Sequence, residues 1–160
     1  MATSAKQAVR PLQADDLERM IAIDQAHSGR ARRRFFEKRF DSAKAHPQDF
    51  VHVGISWNGT LVGFAFARIL HGEFGREEPT AALDLVGVDP ANQGHGCGHA
   101  LMDGLADAMR ARGVRLLHSQ ADWINHGLLK FFDSTGFELA PRLVLERSVA
   151  VPLAEPPEDV

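Results

Sequence analysis

Val88-Asp-Pro-Ala-Asn-Gln-Gly-His-Gly-Cys-Gly-His-Ala100 sets glycines at alternate positions among two histidines and the single cysteine of a 160-residue chain. A glycine-rich turn entering a helix offers backbone N–H groups that lack internal partners, at the positive end of the helix dipole. Glycine also lets an anion approach the main chain closely. The chemistry such a turn can do is phosphate or diphosphate recognition. Two nucleotide patterns fail. His99 stands where a dinucleotide fingerprint beginning at Gly94 needs its third glycine, and Leu101 stands there for one beginning at Gly96. The Gly-Lys-Ser/Thr of NTPase phosphate loops is missing as well. His95-x-Cys97-x-His99 combines zinc-binding side chains, yet alternate spacing lacks the usual two-to-four-residue gaps and a fourth ligand, so no metal is expected. Helix-terminal Cys97 has a setting that can activate a thiol, but a covalent nucleophilic route is not indicated.

Two other residues could move protons. Asp84 interrupts the apolar run Ala81-Ala-Leu-Asp-Leu-Val-Gly-Val88 and shares a strand face with Ala82. It is a candidate general base, acting directly or through water. The alternative is a scaffold aspartate paired with an arginine or a backbone donor. His118 titrates near neutrality and is the second candidate, against a plain hydrogen-bonded histidine. Glu73, Glu77 and Glu78 could attract a cationic amine, although most such charge runs are merely solvated.

These groups need elements to hold them. The order read from periodicity is β-αα-βββ-α-β-α-β. A short strand follows Val9. Leu17, Met20, Ile21 and Asp24 lie at helical spacing, and a basic helix from Arg30 to Phe40 stops before Pro47. Asn58-Gly59 between Phe50–Trp57 and Thr60–Leu70 predicts a hairpin. A buried strand over Ala81–Val88 precedes a helix from Gly98 to Arg112 with Leu101, Met102, Leu105 and Met109 on one stripe. Val114–Ala121 reads as a strand, Asn125 caps a last helix carrying Leu128, Leu129 and Phe132, and Arg142–Val149 closes the sheet.

The stretch Gln93-Gly-His-Gly96-Cys-Gly98 resembles motif A of the GNAT superfamily of acyl-CoA-dependent N-acetyltransferases, whose pattern is Gln/Arg-x-x-Gly-x-Gly/Ala. Asn125 through Phe131-Phe132 to Gly136-Phe137 resembles its motif B, and the order of elements agrees. The resemblance implies an α/β (α+β) fold: a mixed, mostly antiparallel sheet with helices on both faces and a splayed, V-shaped cofactor cleft. It implies acetyl-CoA as cosubstrate, with the main chain of Val86, Gly87 and Val88 pairing with the pantetheine arm like an added strand. Gln93, Gly94, His95, Gly96, Cys97, Gly98 and His99 would hold the diphosphate, and Asn125 and Phe132 would lie on the cofactor side. Gly87 is the expected site of the bulge that splays the sheet. A strand N–H near Val88 would polarise the thioester carbonyl.

The departures concern proton transfer. Many relatives use a motif B tyrosine as acid; Phe132 occupies that position and the chain has no tyrosine. The glutamate of the ribosomal-protein branch is replaced by Gln120, and that of the histone branch by Ala82. The expected activity is N-acetylation of a primary amine, on a small molecule or a peptide, by direct attack in a ternary complex. The alternative is a non-catalytic acyl-CoA-binding or sensing module.

Composition bounds the remaining classes. With 44% hydrophobic and 24% charged residues the chain can bury one core, read as a single domain over residues 9–149 with flexible ends at 1–8 and 150–160. A net charge of −3 argues against nucleic acid; the basic helix with Arg30, Arg32, Arg33, Arg34, Lys38 and Arg39 reads as a solvated face. One cysteine excludes an intrachain disulfide framework and fits a cytoplasmic compartment. No apolar run is long enough to span a membrane. A homodimer is compatible with all of this.

Overall fold

The computed structural model describes residues 6–150 and 152. Its five-stranded sheet has the order β1-β2-β3-β4-β5, formed by β1 (Gln7–Pro11), β2 (Phe50–Trp57), β3 (Thr60–Leu70), β4 (Thr80–Val88) and β5 (Leu117–His118). The first four strands are antiparallel, and β5 runs parallel to β4. Helices α1 (Leu17–Ser28) and α2 (Arg33–Ala45) cover one face, and α3 (Cys97–Ala111) with α4 (His126–Ser134) the other. The mixed α+β architecture expected from the sequence is the one observed. Among the described residues no helix is long and apolar enough to cross a membrane.

Local chemistry accounts for most boundaries. Gly29, at φ 72°, closes α1 with its N–H on the Gln25 carbonyl. Asn58 and Gly59, with φ of 49° and 84°, make the two-residue turn between β2 and β3; two consecutive positive φ angles match the right-handed twist of the flanking strands. Phe36 of α2 is fully buried and meets Phe64 and Phe66 of β3 edge to face. On the opposite face Leu101, Leu105 and Met109 of α3 pack against Val53, Ile55 and Leu83.

The C-terminal half departs from expectation. Strand β5 holds Leu117 and His118 alone, not Val114–Ala121, because its ladder with β4 ends at the Ala82–His118 pair. Residues Arg142–Val149 form no strand, and Leu139, Leu143, Leu145 and Val149 lie exposed. A two-residue β5 leaves no edge long enough for another strand to pair with. At the other end the first strand starts at Gln7, paired with Trp57. The expectations for residues 1–5, 151 and 153–160 fall outside the described residues.

Candidate functional site

Strand β4 builds the site by parting from β5. Its pairing with β3 continues to Val88, whereas its pairing with β5 stops at Ala82, so Leu83–Val88 has an open edge. The β3–β4 register slips between Phe66 and Ala67: Phe66 faces Leu85 and Ala67 faces Leu83, leaving Asp84 as the extra residue. The bulge therefore lies at Asp84 and not, as expected, at Gly87. Gly87 has a different reason to be glycine, since a Cβ there would come within 3.2 Å of the Phe64 ring and 3.4 Å of Ile23. Close packing of the Phe64 ring of β3, not backbone freedom, accounts for it.

The bulge reverses the phase of the strand. Before it, the Ala81 amide donates to the Leu116 carbonyl and the Leu83 carbonyl accepts from Ser119 Oγ, so odd residues face β5. After it, the Asp89 amide donates to the Val62 carbonyl, so odd residues face β3. By the two-residue period, Val86 and Val88 then turn their peptide groups to the open edge. The Val88 carbonyl is taken by Nε2 of His27 at 2.7 Å, with Gln93 Nε2 at 3.5 Å. His27 went unnoticed in the sequence, where nothing marks it off from other helix-surface polar residues.

The glycine turn follows. Gly94 and Gly96 have φ of 82° and 78°, and a Cβ on either would meet nothing within 4 Å. Gly96 precedes α3 without a side-chain cap. Among the described residues, no bond joins the amides of Gly94 through His99 to a protein acceptor. Gly98 is different: a Cβ would lie 2.7 Å from Cε2 of Phe131, so its small size lets α3 and α4 approach. The other side chains point apart. His95 meets the Trp57 ring edge to face, and His99 Nε2 bonds the Ser134 carbonyl. Cys97 is 1% exposed, receives Gln7 Nε2 at 3.6 Å, and has its thiol pushed up by burial. That desolvation opposes the thiolate which the helix terminus would favour. Among the described residues no three His, Cys, Asp or Glu side chains gather as metal ligands.

Asp84 sits on the α1/α2 face with both carboxylate oxygens occupied. Arg68 of β3 donates through Nε to Oδ2 at 2.7 Å and through Nη2 to Oδ1 at 3.3 Å, and Arg39 of α2 adds Nη1 to Oδ2 at 2.9 Å. This geometry is the scaffold alternative. Three of its roughly four lone-pair sites are on guanidinium donors, which weighs against the base reading. Arg68, overlooked in the sequence, had a signal there: it is a lone charge in an apolar strand, beside a strand with a lone charge of opposite sign. His118 stands next to Ala82 with Nε2 3.4 Å from Thr80 Oγ1; burial, aided by Arg76, lowers its pKa. It is therefore neutral at pH 7 and able to accept a proton.

In motif B the contacts seen are a helix cap and core packing. Asn125 Oδ1 accepts from the Leu128 amide at 3.2 Å and caps α4, and Phe132 is a core residue stacked near Phe131 and Phe137. In the basic segment, Arg32 pairs with Asp24, Arg33 with Glu18, and Arg39 with Asp84.

Comparison with known proteins agrees with this layout. The model of the Acetyltransferase (GNAT) family matches residues 9–137. The mycothiol acetyltransferase of Thermobispora bispora is 36% identical over 80 residues, covering 49% of this chain and 27% of that protein. The N-alpha-acetyltransferase RimI of Mycobacterium tuberculosis is 37% identical over 100 residues, 62% of this chain and 58% of that one. The match thus spans about a quarter of the length of the first relative and under two thirds of the second. Among solved structures, an aminoglycoside N-acetyltransferase, AAC(6')-Iy in complex with CoA, superposes with a TM-score of 0.76 at 18% identity, covering 94% of this chain and 99% of that one.

Proposed function

Because the chain belongs to the acetyltransferase (GNAT) family, we propose that it transfers an acetyl group from acetyl-CoA to a primary amine by direct attack in a ternary complex. The observation that carries this reading is the run of amides from Gly94 to His99 without protein acceptors, directly after an unpaired stretch of β4. The turn amides bind the diphosphate, and Val86 together with the Val88 N–H pairs with amides of the pantetheine arm as an added strand would, the Val88 carbonyl being held by His27. An N–H on the open edge of β4 polarises the thioester carbonyl, a task for a fixed backbone dipole.

A lysine-type amine, with a pKa of ~10.4 in water, must lose a proton to attack. Its nitrogen bonds the acetyl carbon as the carbon–sulfur bond breaks, and its proton passes through water to His118, which stands where β4 and β5 part. Coenzyme A leaves as the thiolate, whose pKa of ~8.5 makes it a fair leaving group without tyrosine. Positioning supplies the larger part of the rate. The relatives' names, mycothiol acetyltransferase and N-alpha-acetyltransferase, support a small-molecule or a peptide amine as the acceptor class.

The occupied Asp84 carboxylate favours one second reading, a module that binds acyl-CoA without transferring the acyl group. Calorimetry with CoA and acetyl-CoA, followed by thiol release over a panel of amines, separates the two. We expect binding, thiol release proportional to one amine class, and a loss of about 100-fold in turnover for His118→Gln with the acetyl-CoA Kd within about twofold. Thiol release independent of every amine identifies the module. Folded protein that binds neither ligand overturns both readings.

A further inference from the structure

We infer that Asp84 is a positioning residue: its carboxylate, shared by Arg39 and Arg68, holds β4 in the phase that presents Val86 and Val88 to the cofactor arm. The inference rests on the acetyl-CoA reading above. Asp84 is the inserted residue, and the groups it binds come from the strand opposite and from the helix above. The side chain is 17% exposed, and Arg68 grips both oxygens.

The clamp matters because a one-residue slip would turn every later side chain to the other face. With the bulge, Val86 and Val88 pack toward α3, while Leu85 and Gly87 lie toward α1 and α2. Gly87 is the only residue of that stretch without a Cβ, and the space over it is filled by Phe64 and Ile23. Packing at Gly87 and the ion pairs at Asp84 therefore specify the same phase from two sides. An amide at position 84 keeps the shape but puts N–H donors against a guanidinium fork, so the grip is lost while the residue still fits.

The test compares acetyl-CoA with 3′-phosphoadenosine 5′-diphosphate, which has the same nucleotide without the arm, on wild type, Asp84→Asn, Arg39→Ala and Arg68→Ala. Each variant should raise the acetyl-CoA Kd about tenfold and leave the nucleotide Kd within about twofold. Arg68→Ala combined with Asp84→Ala should bind no more weakly than Asp84→Ala, since both remove one interaction. In the ligand-free chain, exchange of the Leu85, Gly87 and Asp89 amides, which face β3, should accelerate about tenfold in Asp84→Asn. Arg68→Lys, keeping the charge but not the fork, should fall between wild type and Arg68→Ala.

Unchanged acetyl-CoA affinity and exchange in Asp84→Asn overturn the inference. So does loss of turnover confined to Asp84→Asn at unchanged affinity, which makes Asp84 the base. Equal weakening of both ligands overturns it too, as general loosening. If wild type binds neither ligand, the acetyl-CoA reading falls, and the exchange result alone decides the clamp.

Discussion

The two polar regions of β4 and its turn are built in opposite ways. At the bulge, each Asp84 oxygen has a guanidinium donor, and the three charges come from three elements. At the turn, consecutive amides from Gly94 to His99 have no protein acceptor among the described residues, and the positive-φ glycines have open space around them. Polar groups that satisfy one another hold a shape, whereas donors left to solvent at a helix start are available to a ligand. The contrast supports the proposed roles, a positioning one for the bulge and a binding one for the turn, although both carry residue types that could do chemistry.

The sharpest way to break this contrast is Gly94→Asp. Aspartate tolerates positive φ better than most residues and meets no neighbour here, so the fold should survive while its charge repels a diphosphate. We expect the acetyl-CoA Kd to rise about 1000-fold at an almost unchanged melting temperature; calorimetry showing unaltered affinity would remove the turn from the binding site.

Next comes a buried polar atom beside the clamp. His52 stacks on Phe66 at 4.2 Å, its Nε2 is buried without a partner, and its pKa is lowered to about 4. Burial is the main cause, Arg39 adds to it, and Asp84 opposes it. The unfolded chain takes up this proton near pH 6.5 and the folded chain only near 4, so stability present above 6.5 drains away as pH falls through that window, by roughly 3 kcal/mol. Denaturant titrations from pH 4 to 7 should show this slope in wild type and a much flatter one in His52→Phe. A slope that persists in the variant would assign it to other groups.

The smallest effect separates the glycines of the turn from one another. Gly98→Ala should cost about 2 kcal/mol of stability through contact with Phe131, while acetyl-CoA affinity changes less than for Gly94→Asp. A melting temperature equal to wild type would mean that Phe131 yields, and that Gly98 belongs with Gly94 and Gly96.

Much of the fold was legible from local signals. Asn58-Gly59 specified its hairpin because few residue pairs accept two positive φ angles, and the stripe of Leu101, Leu105 and Met109 specified a buried helix face. The turn was legible through its glycine spacing and its likeness to motif A. Less legible were the C-terminal strands: Val114–Ala121 and Arg142–Val149 have the composition of strands, but a strand exists only where an edge receives it, and β4 turns away after Ala82.

The sequence by itself determined the order of helices and early strands, the glycine spacing of the turn and the family pattern, because these depend on residues within a few positions of one another. Only the tertiary structure decided what Asp84 does. Its role depends on Arg39 and Arg68, 45 and 16 residues away, and on a register slip that no local pattern encodes. A carboxylate's function follows from which donors reach its oxygens, and those donors are brought by the packing of α2 and β3 around the bulge.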